Sequence, residues 1–158
     1  MCSLYEKFSK YIHYYKSIAA ITLGLMYIAV GIKHFTDPDI FVAITPPFVY
    51  FPEAAVYFTG IIEIIGGALL LINKHRKKGA VLMIILLLLV FPANIYLVFS
   101  EEARAVFQGT RNDALIRIPF QIPLILIAYW HSKQRVSRWV ELFCIISFPP
   151  TIIYFLTL

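Results

Sequence analysis

Glu63 is the single acid in "YFTGIIEIIGGALLLI", residues 57–72. Three other apolar stretches also carry polar side chains with chemical capacity. His34 closes the first of them, Asn94 follows the proline of "FPAN" (91–94), and Arg117 and Gln121 lie in "RIPFQ" (117–121). A charged side chain at the centre of a bilayer costs about 2.5–3.5 kcal/mol on insertion scales. Glu63 must therefore be protonated, paired, or solvated by a water-filled pocket. Arg117 is the only basic residue set deep in an apolar stretch, so a Glu63–Arg117 pairing, direct or through water, is expected. Asp113, one helical turn from Arg117, competes for it. The architectural alternative is that these groups act as interhelical hydrogen-bond glue, worth only about 0.6 kcal/mol each on average in membranes.

Other chemistries fit the residue types less well. Haem ligation needs two histidines facing each other at one depth. The spacing puts His13, His75 and His131 at one membrane face and His34 at the other, so haem is disfavoured. There is no Ser-His-Asp order, Gly-rich phosphate loop or zinc-ligand spacing, so no metal site and no confident catalytic residue is assigned. Cys2 and Cys144 lie at opposite ends of the chain without a CxxC pair, which disfavours a dithiol exchange centre. Cys144 reads as a small packing residue.

The elements that must position these residues follow from composition. The chain has 158 residues, 60% hydrophobic and only 15% charged, whereas a soluble domain is about 25% charged. Mean hydropathy is +0.78. Five apolar segments are expected: 18–35, 52–73, 79–100, 113–131 and 139–156. None alternates as a barrel strand does, and only helices or closed barrels satisfy the backbone in lipid. The expected fold is an all-α integral membrane protein: a four-helix transmembrane bundle plus a fifth, C-terminal transmembrane helix. Residues 1–17 form an interfacial N-terminal segment, 18–131 the four-helix domain, and 132–158 a basic loop with the fifth helix. No small-residue cleavage site marks a signal peptide.

Between the first two segments, "TDPDIFVAITPPFVYFPE" (36–53) holds prolines 38, 46, 47 and 52. It is expected to form an interfacial or re-entrant cap. Pro92, Pro119 and Pro123 are assigned to helix shaping, as are Pro149 and Pro150. Small and polar residues share helical faces: Ala20, Gly24, Tyr27, Gly31 and His34 in the first segment, and Val56, Gly60, Glu63 and Gly67 in the second. Such faces allow close helix packing. Asp113, Arg117, Gln121, Leu124, Ala128 and His131 form a comparable stripe in the fourth segment.

Net charge is +5, and ten of the basic residues fall at the N-terminus and in the connections after the second and fourth segments. By the positive-inside rule the N-terminus is cytoplasmic and, with five spans, the C-terminus lies outside. Tyr11, Tyr14, Tyr15, Trp130 and Trp139 are expected in an inner aromatic belt. The basic excess reads as topology, and no aromatic-interleaved basic surface suggests nucleic acid. On this orientation His34, Glu63, Asn94, Arg117 and Gln121 converge on one polar pocket in the outer half.

Four motifs in order, "GIKHFTDPDIFVAITPP" (31–47), "TGIIEIIGGALLL" (59–71), "FPANIYL" (91–97) and "RIPFQ" (117–121), resemble the DoxX-like family of small multi-pass membrane proteins (DoxX/MauE-type four-helix bundles). The resemblance covers 18–131 and implies an inner-membrane location with marked residues His34, Glu63, Pro92, Asn94, Arg117 and Gln121. It also implies a link to redox and quinone metabolism, through members named for subunits of a thiosulfate:quinone oxidoreductase. The fifth segment and the missing cysteine pair depart from the family pattern.

The expected function is an accessory or binding subunit rather than an enzyme. It would hold a small amphipathic molecule such as a quinone or lipid, or dock a redox enzyme, with no covalently bound cofactor. Two alternatives stay open: a catalytic small subunit of a quinone-linked oxidoreductase with Glu63 as proton acceptor, and a membrane chaperone or structural subunit. An oligomer is compatible with either.

Overall fold

A computed structural model describes the backbone of residues 2–156 and the side chains from residue 10 to 156. Seven helices follow in order: α1 (Cys2–Thr36), α2 (Pro38–Ala43), α3 (Pro52–Leu71), α4 (Arg76–Phe99), α5 (Glu101–Phe107), α6 (Arg111–Ser132) and α7 (Arg138–Leu156). Among the described residues, α1 (from Lys10), α3, α4, α6 and α7 are long and apolar enough to cross a membrane. The chain is an all-α multi-pass membrane protein.

The first segment is longer than its apolar stretch suggests. No glycine or proline interrupts residues 2–23, so the helix runs through the polar N-terminus and spans 35 residues. At about 1.5 Å per residue it is roughly 50 Å long, well beyond a hydrocarbon core of about 30 Å. The other ends carry local signals. Pro38 and Pro52 open α2 and α3 at positions where a missing N–H costs nothing. Ser100 Oγ accepts from Ala103 N at the start of α5. Thr110 and Asp113 form a reciprocal capping box on α6. Arg104 Nη1 donates to the Leu97 and Val98 carbonyls, satisfying the end of α4. Pro92, Pro119, Pro123, Pro149 and Pro150 all lie inside helices that continue past them.

The long helices pack in sequence, α1 on α3, α3 on α4, α4 on α6 and α6 on α7, and α7 also touches α1. The α1–α3 contact is set by glycines. A Cβ added at Gly24 would lie 2.8 Å from Gly67 O, and one at Gly31 would lie 2.8 Å from Gly60 O. Those two pairs run in opposite senses seven residues apart, so the helices are antiparallel with one face of each in backbone contact. Gly79 meets Gly66 O in the same manner where α3 turns into α4. The main core joins Leu23, Met26, Leu70, Met83, Leu86, Ile127 and Trp130. Outward positions are apolar as well: Ile61 and Ile65 on α3, and Val81, Ile85, Leu88 and Leu89 on α4, are all exposed. These are the sides that meet lipid.

Two aromatic placements differ from expectation. Trp139 is exposed, in keeping with an interfacial belt, but Trp130 is fully buried against Tyr15 and His131. Tyr15 turns inward with it and donates to Ile145 O at 2.9 Å. His131 is buried with them at the end of α6. The extra length of α1 and the return of α7 cover this end of α6. Cys144 is a buried packing residue whose Sγ donates to Leu126 O at 3.4 Å.

Because Gly67 meets backbone, a side chain there must separate α1 from α3. Gly67→Val is expected to lower stability by about 1–3 kcal/mol, the usual cost of overpacking. Ile146→Val, on an exposed face, should change it by less than about 0.5 kcal/mol. Thermal unfolding in detergent, monitored by circular dichroism, compares the two.

Candidate functional site

At the end of the bundle where α1 finishes and α3 begins, the helices separate around a cavity of about 600 Å³. Its walls come from α1, α3, α4 and α6, with the α2 region and the end of α5 above and Phe155 of α7 at one side. His34, Glu63, Asn94, Arg117 and Gln121 all line it. Between them lie apolar side chains, among them Met26, Val56, Leu87, Val90 and Leu124.

The glycine contact brings His34 to Glu63. A Cβ on Gly60 would fall 2.6 Å from His34 Cβ, so the imidazole packs directly against α3. His34 Nδ1 sits 3.3 Å from Glu63 Oε2 and 3.0 Å from Val30 O. One ring N–H cannot point squarely at both acceptors, and it is aligned with the Val30 carbonyl. Glu63 Oε2 thus keeps a close polar neighbour without a full hydrogen bond. Phe41 of α2 stacks on the imidazole, with ring centroids 3.7 Å apart. His34 is 6% exposed and Glu63 7%, so this pair is a buried element of the wall.

Among the described residues Glu63 and Arg117 form no direct ion pair. His34 occupies the ion-pair position at Glu63, because the α1–α3 approach is closer than any route from α6. Arg117 instead lies over the Phe107 ring, its Cζ 4.5 Å from the centroid. Its Nε and Nη1 are buried and have no hydrogen-bond partner among the described residues. Asp113, the expected competitor, is held by Thr110, accepting from its backbone N and its Oγ1. It caps the helix and leaves Arg117 unserved.

Asn94 and Gln121 form a relay. Asn94 Nδ2 donates to Gln121 Oε1, and Gln121 Nε2 donates to Leu87 O. Pro92, lacking an N–H, cannot bond Leu88 O and opens that turn of α4. The neighbouring Leu87 carbonyl takes the glutamine. Through these bonds Gln121 joins α6 to α4.

Tyr27 lies outside the expected site set, although it shares the α1 stripe with Gly24, Gly31 and His34. It lines the cavity, is 5% exposed, and its hydroxyl has no partner among the described residues. Phe41 and Phe107 are likewise unforeseen. They sit on short helices in connecting segments, where periodicity carries no signal. The cavity thus joins two unlike poles. One is the Tyr27–His34–Glu63 group on α1 and α3, and the other is the Arg117 guanidinium on α6.

A double-mutant cycle separates the observed pairing from the expected one. His34→Ala with Glu63→Ala should show a coupling of about 0.5–3 kcal/mol in unfolding free energy. Arg117→Ala with Glu63→Ala should couple more weakly. A stronger coupling to Arg117 would contradict the His34–Glu63 assignment.

Residues 23–132, from the middle of α1 to the end of α6, match a family model described as "Domain of unknown function (DUF8561)". No curated protein matches the chain, and neither does any solved structure. The match covers more than half of the chain, and the chain belongs to that family.

Proposed function

We propose that this member of the DUF8561 family is a membrane-embedded binding protein that holds a small amphipathic molecule in the cavity between α1, α3, α4 and α6. The observation that carries the reading is the make-up of that cavity. Its walls are largely apolar, yet Tyr27, Glu63 and Arg117 line it, and Tyr27 Oη, Glu63 Oε2 and two Arg117 nitrogens are buried without hydrogen-bond partners among the described residues. Ligand sites share this pattern of apolar walls with a few convergent polar groups, and volumes of about 300–1,000 Å³ are usual for them. Polar groups serving only as helix–helix glue would be expected to find partners within the bundle, as Asn94 and Gln121 do.

The resemblance of four motifs to those of DoxX-like proteins supports an accessory role beside a quinone-linked redox enzyme in the inner membrane, with quinone or lipid as the guest. The distribution of Lys and Arg supports a cytoplasmic N-terminus, which puts the cavity in the outer half. On this reading Glu63 and His34 form its acidic wall, and Pro92, Pro119 and Pro123 shape the helices around it.

Organic extraction of the purified protein, together with native mass spectrometry, tests the binding role. A bound small amphiphile should survive purification. Ala93 lines the cavity, and Ala93→Trp should cut its retention at least about tenfold, since filling a pocket removes the ligand's contact area. A wild-type protein that carries nothing after mild solubilisation, and takes up neither quinone nor lipid when supplied, would refute the reading.

A further inference from the structure

Arg117 gives the cavity a chemical preference that apolar walls cannot supply. A guanidinium stays cationic in a protein and offers five N–H donors with no acceptor. Two of its nitrogens are buried here and unpartnered among the described residues. No acid among the described residues forms an ion pair with it. Asp113 closes the capping box with Thr110, Glu63 lies beside His34, and Asp37 accepts from Thr36 Oγ1 at 2.7 Å. Phe107 supports the guanidinium from its face, at 4.5 Å. Stacking of this kind fixes the plane and leaves the N–H edges for an acceptor.

We infer that the cavity selects an amphiphile with an oxyanion head, a carboxylate or a phosphate monoester. The head seats on Arg117 beside Phe107, and the tail lies against Leu87, Val90, Leu124 and Phe155. This rests on the reading of the cavity as an amphiphile site and deepens it, because a neutral quinone or alcohol can accept a hydrogen bond from the arginine but leaves its charge uncompensated. The geometry also orients the guest. Its anion lies at the α6 pole, away from the Glu63 carboxyl, and the Tyr27 hydroxyl is left for a second, neutral polar group on the ligand.

The test uses the full-length protein in nanodiscs of phosphatidylcholine and three probes of equal chain length: hexadecanoate, hexadecyl phosphate and hexadecanol. Dissociation constants are read by native mass spectrometry near neutral pH. At least one of the two anions should bind the wild type about tenfold or more tighter than hexadecanol, as expected for a charge-assisted hydrogen bond. Preference for the carboxylate points to a free fatty acid, and preference for the phosphate points to a lysophospholipid-type head. Arg117→Gln should erase the preference, bringing both anions to within about threefold of hexadecanol on the same variant, while Arg117→Lys should keep part of it. The wild-type comparison stands even if Arg117→Gln fails to fold. Hexadecanol binding as tightly as both anions would overturn the oxyanion assignment and leave the amphiphile site intact. Failure of all three probes to bind would overturn both.

Discussion

The close approach of α1 and α3 is the constraint on which the rest of the structure depends. Gly24 and Gly31 lie against Gly67 and Gly60 so tightly that a single methyl group would meet a carbonyl oxygen. In lipid no hydrophobic force drives helices together, and association relies on van der Waals fit and interhelical polar contacts. Glycine permits that fit by removing the side chain from the seam. The same contact lays His34 against Gly60, within reach of Glu63, and the acid gains a neighbour with no help from α6. Arg117 is left over on the far side of the cavity as a consequence. The helix-packing device and the charge distribution in the cavity thus have one cause.

A second layer of order comes from the helix ends. Arg104 closes α4, Ser100 opens α5, and Thr110 with Asp113 opens α6. These caps fix two short connections at the rim, so that Phe107 is presented beneath the guanidinium. A charge-rich stretch that reads as an ordinary surface loop thereby contributes to the wall. The left-handed Gln108 (φ 57°) ends α5 and turns the chain toward α6, and its side chain reaches the cavity. Helix capping usually contributes about 1 kcal/mol to stability. Here its larger effect is positional.

The membrane class, the long helices and the inward stripes were legible in the sequence, because each rests on a local pattern. Apolar length marked the spans, and three- or four-residue spacing marked Gly24, Tyr27 and Gly31 on one face and Gly60, Glu63 and Gly67 on another. The direct neighbour of Glu63, His34, was not legible because pairing depends on interhelical distance, which spacing along one helix does not encode. Depth alone ranked Arg117 above His34, and the glycine seam reversed that order. Trp130 and His131 misled in a similar way. Amphipathic residues near a helix end suggest an interface, but the extension of α1 and the return of α7 cover them. The relay from Asn94 through Gln121 to the Leu87 carbonyl was not legible either, since it ends on a backbone oxygen of another helix, next to the carbonyl that Pro92 leaves unbonded.

Leu89 is both a cavity-lining residue and one of the most exposed side chains of α4, at 60%. Leu89 thus links the cavity to the exposed apolar flank of α4, the flank that acyl chains would cover in a bilayer. A guest leaving by this side passes straight into the bilayer without crossing water. Its occupancy is then governed by its mole fraction in the membrane rather than by its aqueous concentration. A poorly water-soluble compound could therefore saturate the protein while scarcely existing in free solution, and the lipid composition of the host membrane would itself set how full the cavity is.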